Sequence, residues 1–402
     1  MKGRLRHTFV YKILRVIMMP FLKIRFNYRF EKVPSLHRPV FILPNHVTSW
    51  DPFLVGVSFP QMMYYVASDH LFRLGFVSRI IEYLLSPIPR TKSSADLQTA
   101  ATIFRRIREG ANICIFPEGN MTFGGETGEL HPTTAKLIKR NGAAMITYRL
   151  EGGYFTQPRW ARFLKRGAIT GFPVRKYSPE EIAAMTEEEL NKQIEADLYT
   201  DAYEEQKKKP VAYRGKRQAE NLETALYLCP SCHRIGELKS EGDQLFCSCG
   251  LKLRYTEYGY LESLNRQAPP FTTIRDWIKW QSDTIEKLSA ELRKQPNDKV
   301  ITSDDDQSLW KIKKARRSKL AGKGRLLLYP DRMTLETTEG KTCDFPLDHI
   351  SDMAIHGQMT LIFTTTEREY FELKSEIPRS ALKYYELYKA LTGRHSIYER
   401  KD

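Results

Sequence analysis

The stretch Val40-Phe41-Ile42-Leu43-Pro44-Asn45-His46-Val47-Thr48-Ser49-Trp50-Asp51-Pro52 decides how this chain is read. Val40 to Leu43 is a short, unbroken apolar run, the pattern of a strand buried on both faces. Thr48 or Asp51 ahead of Pro52 reads as a helix start, since a proline in the first turn forgoes an N–H that has no helical partner. Open α/β folds keep their sites at such strand-to-helix corners. His46 stands at the corner, and Asp51 follows one turn later, within reach of the ring. A carboxylate that accepts from one imidazole nitrogen fixes the tautomer and leaves the other nitrogen able to take a proton from a hydroxyl. The competing reading is an Asp51 that only caps a helix and a His46 that only fills the core.

A second apolar strand, Asn112 to Phe116, ends in Pro117-Glu118-Gly119-Asn120, so two loops are expected at one edge of a sheet. Between them Arg90 closes the segment Pro87-Ile88-Pro89-Arg90. The order of NHxxxxD, this arginine and FPEG resembles the glycerolipid acyltransferase family over roughly residues 30–175. The resemblance implies an α/β acyltransferase domain with a mostly parallel sheet. It also implies transfer of a fatty acyl group from acyl carrier protein or acyl-CoA to the free hydroxyl of 1-acylglycerol-3-phosphate, making phosphatidate. In that scheme His46 is the base, Asp51 orients it, and Asn45, Arg90, Glu118, Gly119 and Thr122 bind substrate, Arg90 holding the phosphate. Relatives commonly carry a basic residue two or three positions after the FPEG glutamate, whereas Asn120-Met121-Thr122 supplies none. The departure admits another lysolipid or a glycolipid as acceptor. For lysophosphatidate it requires Arg149 or another basic residue beside Arg90.

A chain of 402 residues with 41% hydrophobic content has room for two or three domains and a sizeable core. Its formal charge of +15 predicts attraction to polyanions. Residues 1–40 hold ten basic residues against Glu31 alone, a net +9 interleaved with Phe9, Tyr11, Ile13, Val16, Ile17, Phe21 and Ile24. The apolar run Val16 to Leu22 is far short of the roughly 20 residues of a spanning helix, and it contains Pro20. No signal-peptide cleavage site follows it, so an intracellular protein is expected. Residues 1–39 are expected to lie on an anionic membrane at its cytoplasmic face, against the alternative of a helix packed on its own domain.

The acyltransferase domain is expected over residues 40–215. Met62 to Ala67 reads as a strand, His70 to Leu85 as a helix, and Ser93 to Glu109 as a helix with Leu97, Ala101, Phe104 and Ile107 on one face. Phe123 to Gly128 reads as a mobile active-site loop, and Pro179 to Lys209 as an exposed helix leading to a basic linker. Residues 222–262 contain Cys229-Pro-Ser-Cys232 and, after 14 residues, Cys247-Ser-Cys249. In an intracellular chain such paired cysteines predict a zinc ribbon holding a structural zinc, with His233 as a substitute ligand. No redox or nucleotide cofactor is expected. Nucleic acid is not expected as a partner either, because Glu237, Glu241, Asp243 and Glu257 offset the few basic residues of this segment. A helical strut over 270–297 leads to short alternating strands and a closing helix over 298–396, a pattern resembling the PH-like superfold.

Overall fold

The computed structural model describes residues 2–34, 39–73, 75–90, 97–265, 267–313 and 317–394. Two compact units are present, residues 1–159 with 164–215, and residues 160–163 with 216–402.

The strands of the first unit are β1 (Arg29–Phe30), β2 (Val40–Pro44), β3 (Met63–Ser68), β4 (Ile88–Arg90), β5 (Asn112–Cys114), β6 (Ala144–Glu151) and β7 (Thr170–Tyr177). Its helices are α1 (Lys2–Phe26), α2 (Asp51–Ser58), α3 (Phe76–Leu85), α4 (Leu97–Arg108), α5 (Thr133–Asn141), α6 (Gly153–Thr156), α7 (Pro179–Ala184), α8 (Glu187–Leu198) and α9 (Ala202–Lys208). The sheet runs β1-β7-β6-β2-β5-β3-β4, and only the β6–β7 pair is antiparallel. β2 lies mid-sheet, and its alternation serves two cores. Val40 and Ile42 pack with Leu22, Phe26, Leu54 and Val55, while Phe41 and Leu43 pack with Ile103, Ile107, Ile138 and Leu190. This two-sided burial explains why the run is apolar without a polar alternate. Because β2 and β5 are parallel neighbours, the loops after them emerge side by side.

Several expectations are corrected. The helix read from His70 is a 3-10 turn, Asp69–Arg73, followed by α3, and the break falls at Gly75, whose φ of +64° suits glycine. The buried face of α4 is Thr99, Ile103 and Ile107, whereas Leu97 is 82% exposed; the start read at Ser93 lies outside the described residues. Pro179 to Lys209 is not one exposed helix. It forms α7, α8 and α9, and Ile182, Leu190, Ile194 and Leu198 are buried in the core. Capping boxes at Ser178 and Thr186 divide the run. The glycine-rich run is tied down rather than loose. The Thr122 hydroxyl accepts from Gly124 N and Gly125 N, Tyr154 donates to the Phe123 carbonyl, and Gly128 N donates to Glu118.

Helix α1 is apolar on two sides. Tyr11, Leu22 and Phe26 are buried, while Leu5, Phe9, Ile13, Val16, Ile17, Phe21 and Ile24 form an exposed stripe. Its arginines are not merely solvated. Arg4 donates to the carbonyls of Glu109 and Gly110 just beyond α4, Arg6 to that of Tyr83 in the last turn of α3, and Arg15 to that of Val57 in the last turn of α2. Cations at these C-terminal ends satisfy orphan carbonyls and oppose the helix dipoles. Among the described residues no helix is long and apolar enough to cross a membrane.

The second unit has an antiparallel sheet of β8 (Leu238–Glu241), β9 (Gln244–Cys247), β10 (Lys252–Tyr255) and β11 (Leu261–Ser263), then α10 (Ile274–Arg293). A seven-stranded antiparallel sheet follows, made of β12 (Thr302–Lys313), β13 (Arg317–Leu328), β14 (Arg332–Thr337), β15 (Thr342–Pro346), β16 (Ile350–His356), β17 (Thr360–Thr365) and β18 (Tyr370–Ser375), and α11 (Ala381–Thr392) comes after it. Ile274, Trp277, Gln281 and Ile285 of α10 are buried within this unit.

Candidate active site

The loop between β2 and α2 turns Asp51 back on itself. Asp51 opens α2, yet its side chain does not cap the helix. Its Oδ2 accepts from Val47 N at 2.7 Å, from Thr48 N at 3.0 Å and from His46 Nδ1 at 2.7 Å. The carboxylate is completely buried, and burial pushes it above the usual carboxylate range, against the pull of His46 and the two backbone N–H groups. One oxygen thus gathers three donors, which fixes both the turn and the ring. With Nδ1 donating, Nε2 carries the lone pair, and no described residue bonds to it. The His46 ring lies against Phe116, with centroids 4.4 Å apart, and its side chain remains 20% exposed. Gly153 permits this loop to sit close, because a Cβ there would lie 2.6 Å from Val47 Cγ2.

Glu118 fastens the two loops together. Its Oε1 accepts from His46 N at 2.6 Å and its Oε2 from Gly128 N at 2.9 Å. Burial pushes its carboxyl up to about 8, partly opposed by those N–H groups. Glu118 therefore positions the His46–Asp51 loop, a role that FPEG as a motif does not disclose. Gly119 turns the chain at φ +68°, and a Cβ there would lie 3.8 Å from Arg90 Nη1. The arginine at the end of β4 is thereby brought to the FPEG loop.

Asn45, read from the resemblance as a substrate binder, ties β2 to β6 in the structure. It is fully buried, accepts from Leu150 N at 2.7 Å, and donates to the Leu150 carbonyl and to Thr200 Oγ1. Thr122 holds the following turn, as described. Arg149 donates from Nε and Nη2 to carbonyls in the last turn of α8, those of Asp197 and Ala196. His131, which sequence reasoning missed, lies within the field of Arg90, and burial together with that charge pushes it down to about 4, so it is neutral at pH 7. In the second unit the sulfurs of Cys229, Cys232, Cys247 and Cys249 all lie within 4.8 Å of one another, a set able to hold a metal.

Residues 25–151 match a protein-family model described as Acyltransferase, so the histidine–aspartate loop and the FPEG loop both lie inside the matched segment. The chain is 28% identical over 122 residues to a 1-acyl-sn-glycerol-3-phosphate acyltransferase of Borreliella burgdorferi (strain ATCC 35210 / DSM 4680 / CIP 102532 / B31), covering 30% of this chain and 48% of that protein. It thus spans about half the length of this curated relative. Among solved structures it is similar to the 1-acyl-sn-glycerophosphate (LPA) acyltransferase PlsC of Thermotoga maritima, at 17% identity and a TM-score of 0.41, covering 47% of this chain and 76% of that one. It is also similar to the C-terminal domain of an unknown protein from Leishmania infantum, at 14% identity and a TM-score of 0.18, covering 28% and 98%.

Proposed function

We propose that the chain is an O-acyltransferase of the 1-acylglycerol-3-phosphate type, moving a fatty acyl group from acyl carrier protein or acyl-CoA to the acceptor hydroxyl. The observation that carries this is the 2.7 Å contact between His46 Nδ1 and Asp51 Oδ2, inside the segment matched to the family. The acceptor hydroxyl gives its proton to His46 Nε2 as its oxygen bonds to the thioester carbonyl. The C–S bond then breaks, and the leaving thiolate takes that proton back. Asp51 stabilises the imidazolium between the two transfers. Arg90 holds the acceptor phosphate through its fork of donors.

A second reading, with a lysolipid or glycolipid lacking a terminal phosphate as acceptor, is favoured by three observations. Asn120-Met121-Thr122 supplies no cation after Glu118 and Gly119, Arg149 donates to carbonyls of α8, and His131 is neutral. A panel of lysolipids offered with one labelled acyl donor separates the two. Preference for lysophosphatidate supports the first, and preference for a head group without a terminal phosphate replaces it with the second.

The exposed apolar stripe of α1 with its flanking cations supports peripheral attachment to the cytoplasmic face of an anionic membrane. Cosedimentation with anionic vesicles that survives Phe9→Glu with Ile17→Glu contradicts this attachment. The seven antiparallel strands and α11 support a PH-like module, and amide hydrogen exchange that leaves α11 unprotected while the strands are protected contradicts it.

A further inference from the structure

The cysteine cluster lies outside the acyl chemistry, and its geometry is specific. Cys229 Sγ is 3.7 Å from Cys249 Sγ, and Cys232 Sγ is 3.8 Å from Cys247 Sγ. A disulfide needs about 2.05 Å. Four thiolates about 2.3 Å from a tetrahedral zinc lie about 3.8 Å apart along each edge, so the observed pairs sit on the edges of such a tetrahedron. Both contributing turns are built to present their sulfurs. In the first, His233 N donates to the Cys229 carbonyl at φ +56° for His233; in the second, Gly250 N donates to the Cys247 carbonyl at φ +99° for Gly250. The CxC pair therefore works as well as CxxC, because Gly250 completes the reversal one residue later. His233 is not part of the set; its ring stands edge-on to Trp280.

We propose that Cys229, Cys232, Cys247 and Cys249 bind one zinc ion as thiolates in a closed tetrahedral site, and that this ion fastens the segment 225–229 onto α10. Four protein ligands leave no open position, so the metal is structural, and each thiol gives up its proton on binding. The fastening follows from what the first turn is joined to. Trp277 Nε1 donates to the Leu228 carbonyl at 2.9 Å, Gln281 accepts from Tyr227 N and donates to the Ala225 carbonyl, and Tyr227 donates to Glu386 of α11, which also accepts from Ser282. Residues 225–229, Trp277 and Gln281 are all fully buried. Withdrawing the ion frees the turn that these bonds hold, and Trp277 and Trp280 report it.

The test uses the full chain purified without added metal. About one zinc per chain is expected by elemental analysis, released in step with titration of four thiols, with a red shift of tryptophan emission as it leaves. Cys232→Ser and Cys249→Ser, the two less buried ligands, should lose the metal, while Cys343→Ser on β15 keeps it. Should those variants fail to fold, cobalt exchanged into the wild-type chain should give the charge-transfer and ligand-field absorption of tetrahedral thiolate ligation. Protein with no bound metal, protein with the four cysteines in disulfides, or zinc that leaves without moving tryptophan emission overturns the proposal.

Discussion

Replacing Asp51 by asparagine separates the two tasks of this carboxylate. With its amide oxygen in the place of Oδ2, asparagine can still accept from Val47 N and Thr48 N, so the turn survives. Its NH2 then takes the place of Oδ1, which is buried and has no partner, at a cost of roughly 1–3 kcal/mol in stability. What is lost is the negative charge beside the imidazolium. Unit charges about 4 Å apart at an effective dielectric of about 20 interact by about 4 kcal/mol, and each 1.36 kcal/mol is a factor of ten, so kcat should fall by about 10³-fold. The opposite amide orientation, with NH2 toward His46, would also favour the wrong tautomer and deepen the loss. The assay is the initial rate with labelled acyl donor and saturating lysophosphatidate on anionic vesicles, with a melting curve to verify folding. KM should change little. A folded Asp51→Asn protein within tenfold of the wild-type kcat would refute the reasoning.

Arg90→Ala should raise KM for lysophosphatidate by roughly 10- to 150-fold, corresponding to one charge-assisted hydrogen-bonding partner of about 1.5–3 kcal/mol, with kcat little altered; a change under about threefold would mean the phosphate is held elsewhere. Glu118→Gln should slow turnover by roughly 5- to 150-fold, because its NH2 must face one of two backbone donors at a cost of about 1–3 kcal/mol. The same variant carries a pH signature. Glu118 rises from its ordinary 4.5 to about 8 on folding, so its protonated form contributes stability that is complete below pH 4.5 and is lost as pH rises through about 8. Melting curves should therefore show the wild type losing stability relative to Glu118→Gln across that window, and a constant difference would contradict the shift.

Much of the first unit was legible because its signals are local. Val40 to Leu43 is buried on both faces, Gly110 and Gly142 end α4 and α5 at positive φ, and the NHxxxxD spacing returns Asp51 to His46 across one turn. Other features depend on distant partners. The scaffold role of Asn45 is set by Leu150 and Thr200, and that of Glu118 by the N–H groups of His46 and Gly128. The acidic run Asp304 to Asp306 carries no strand pattern, yet it lies in β12, where Asp304 turns to Lys383 and Tyr384 while Asp306 sits at a bulge with φ +57°. The face of α4 was misjudged because Thr99, whose hydroxyl donates to the Pro89 carbonyl, is buried where Leu97 was expected. The basic residues of α1 read as a field for anions, yet Arg4, Arg6 and Arg15 are engaged with carbonyls at the ends of neighbouring helices.

The most direct test of the account is the turnover of labelled acyl donor by His46→Ala beside the wild type, both folded by circular dichroism and both bound to the same anionic vesicles. Removing the group that takes the hydroxyl proton should lower the rate by about 10²–10⁴-fold, while vesicle binding is unchanged. A His46→Ala protein of confirmed composition that transfers the acyl group at the wild-type rate would contradict the mechanism.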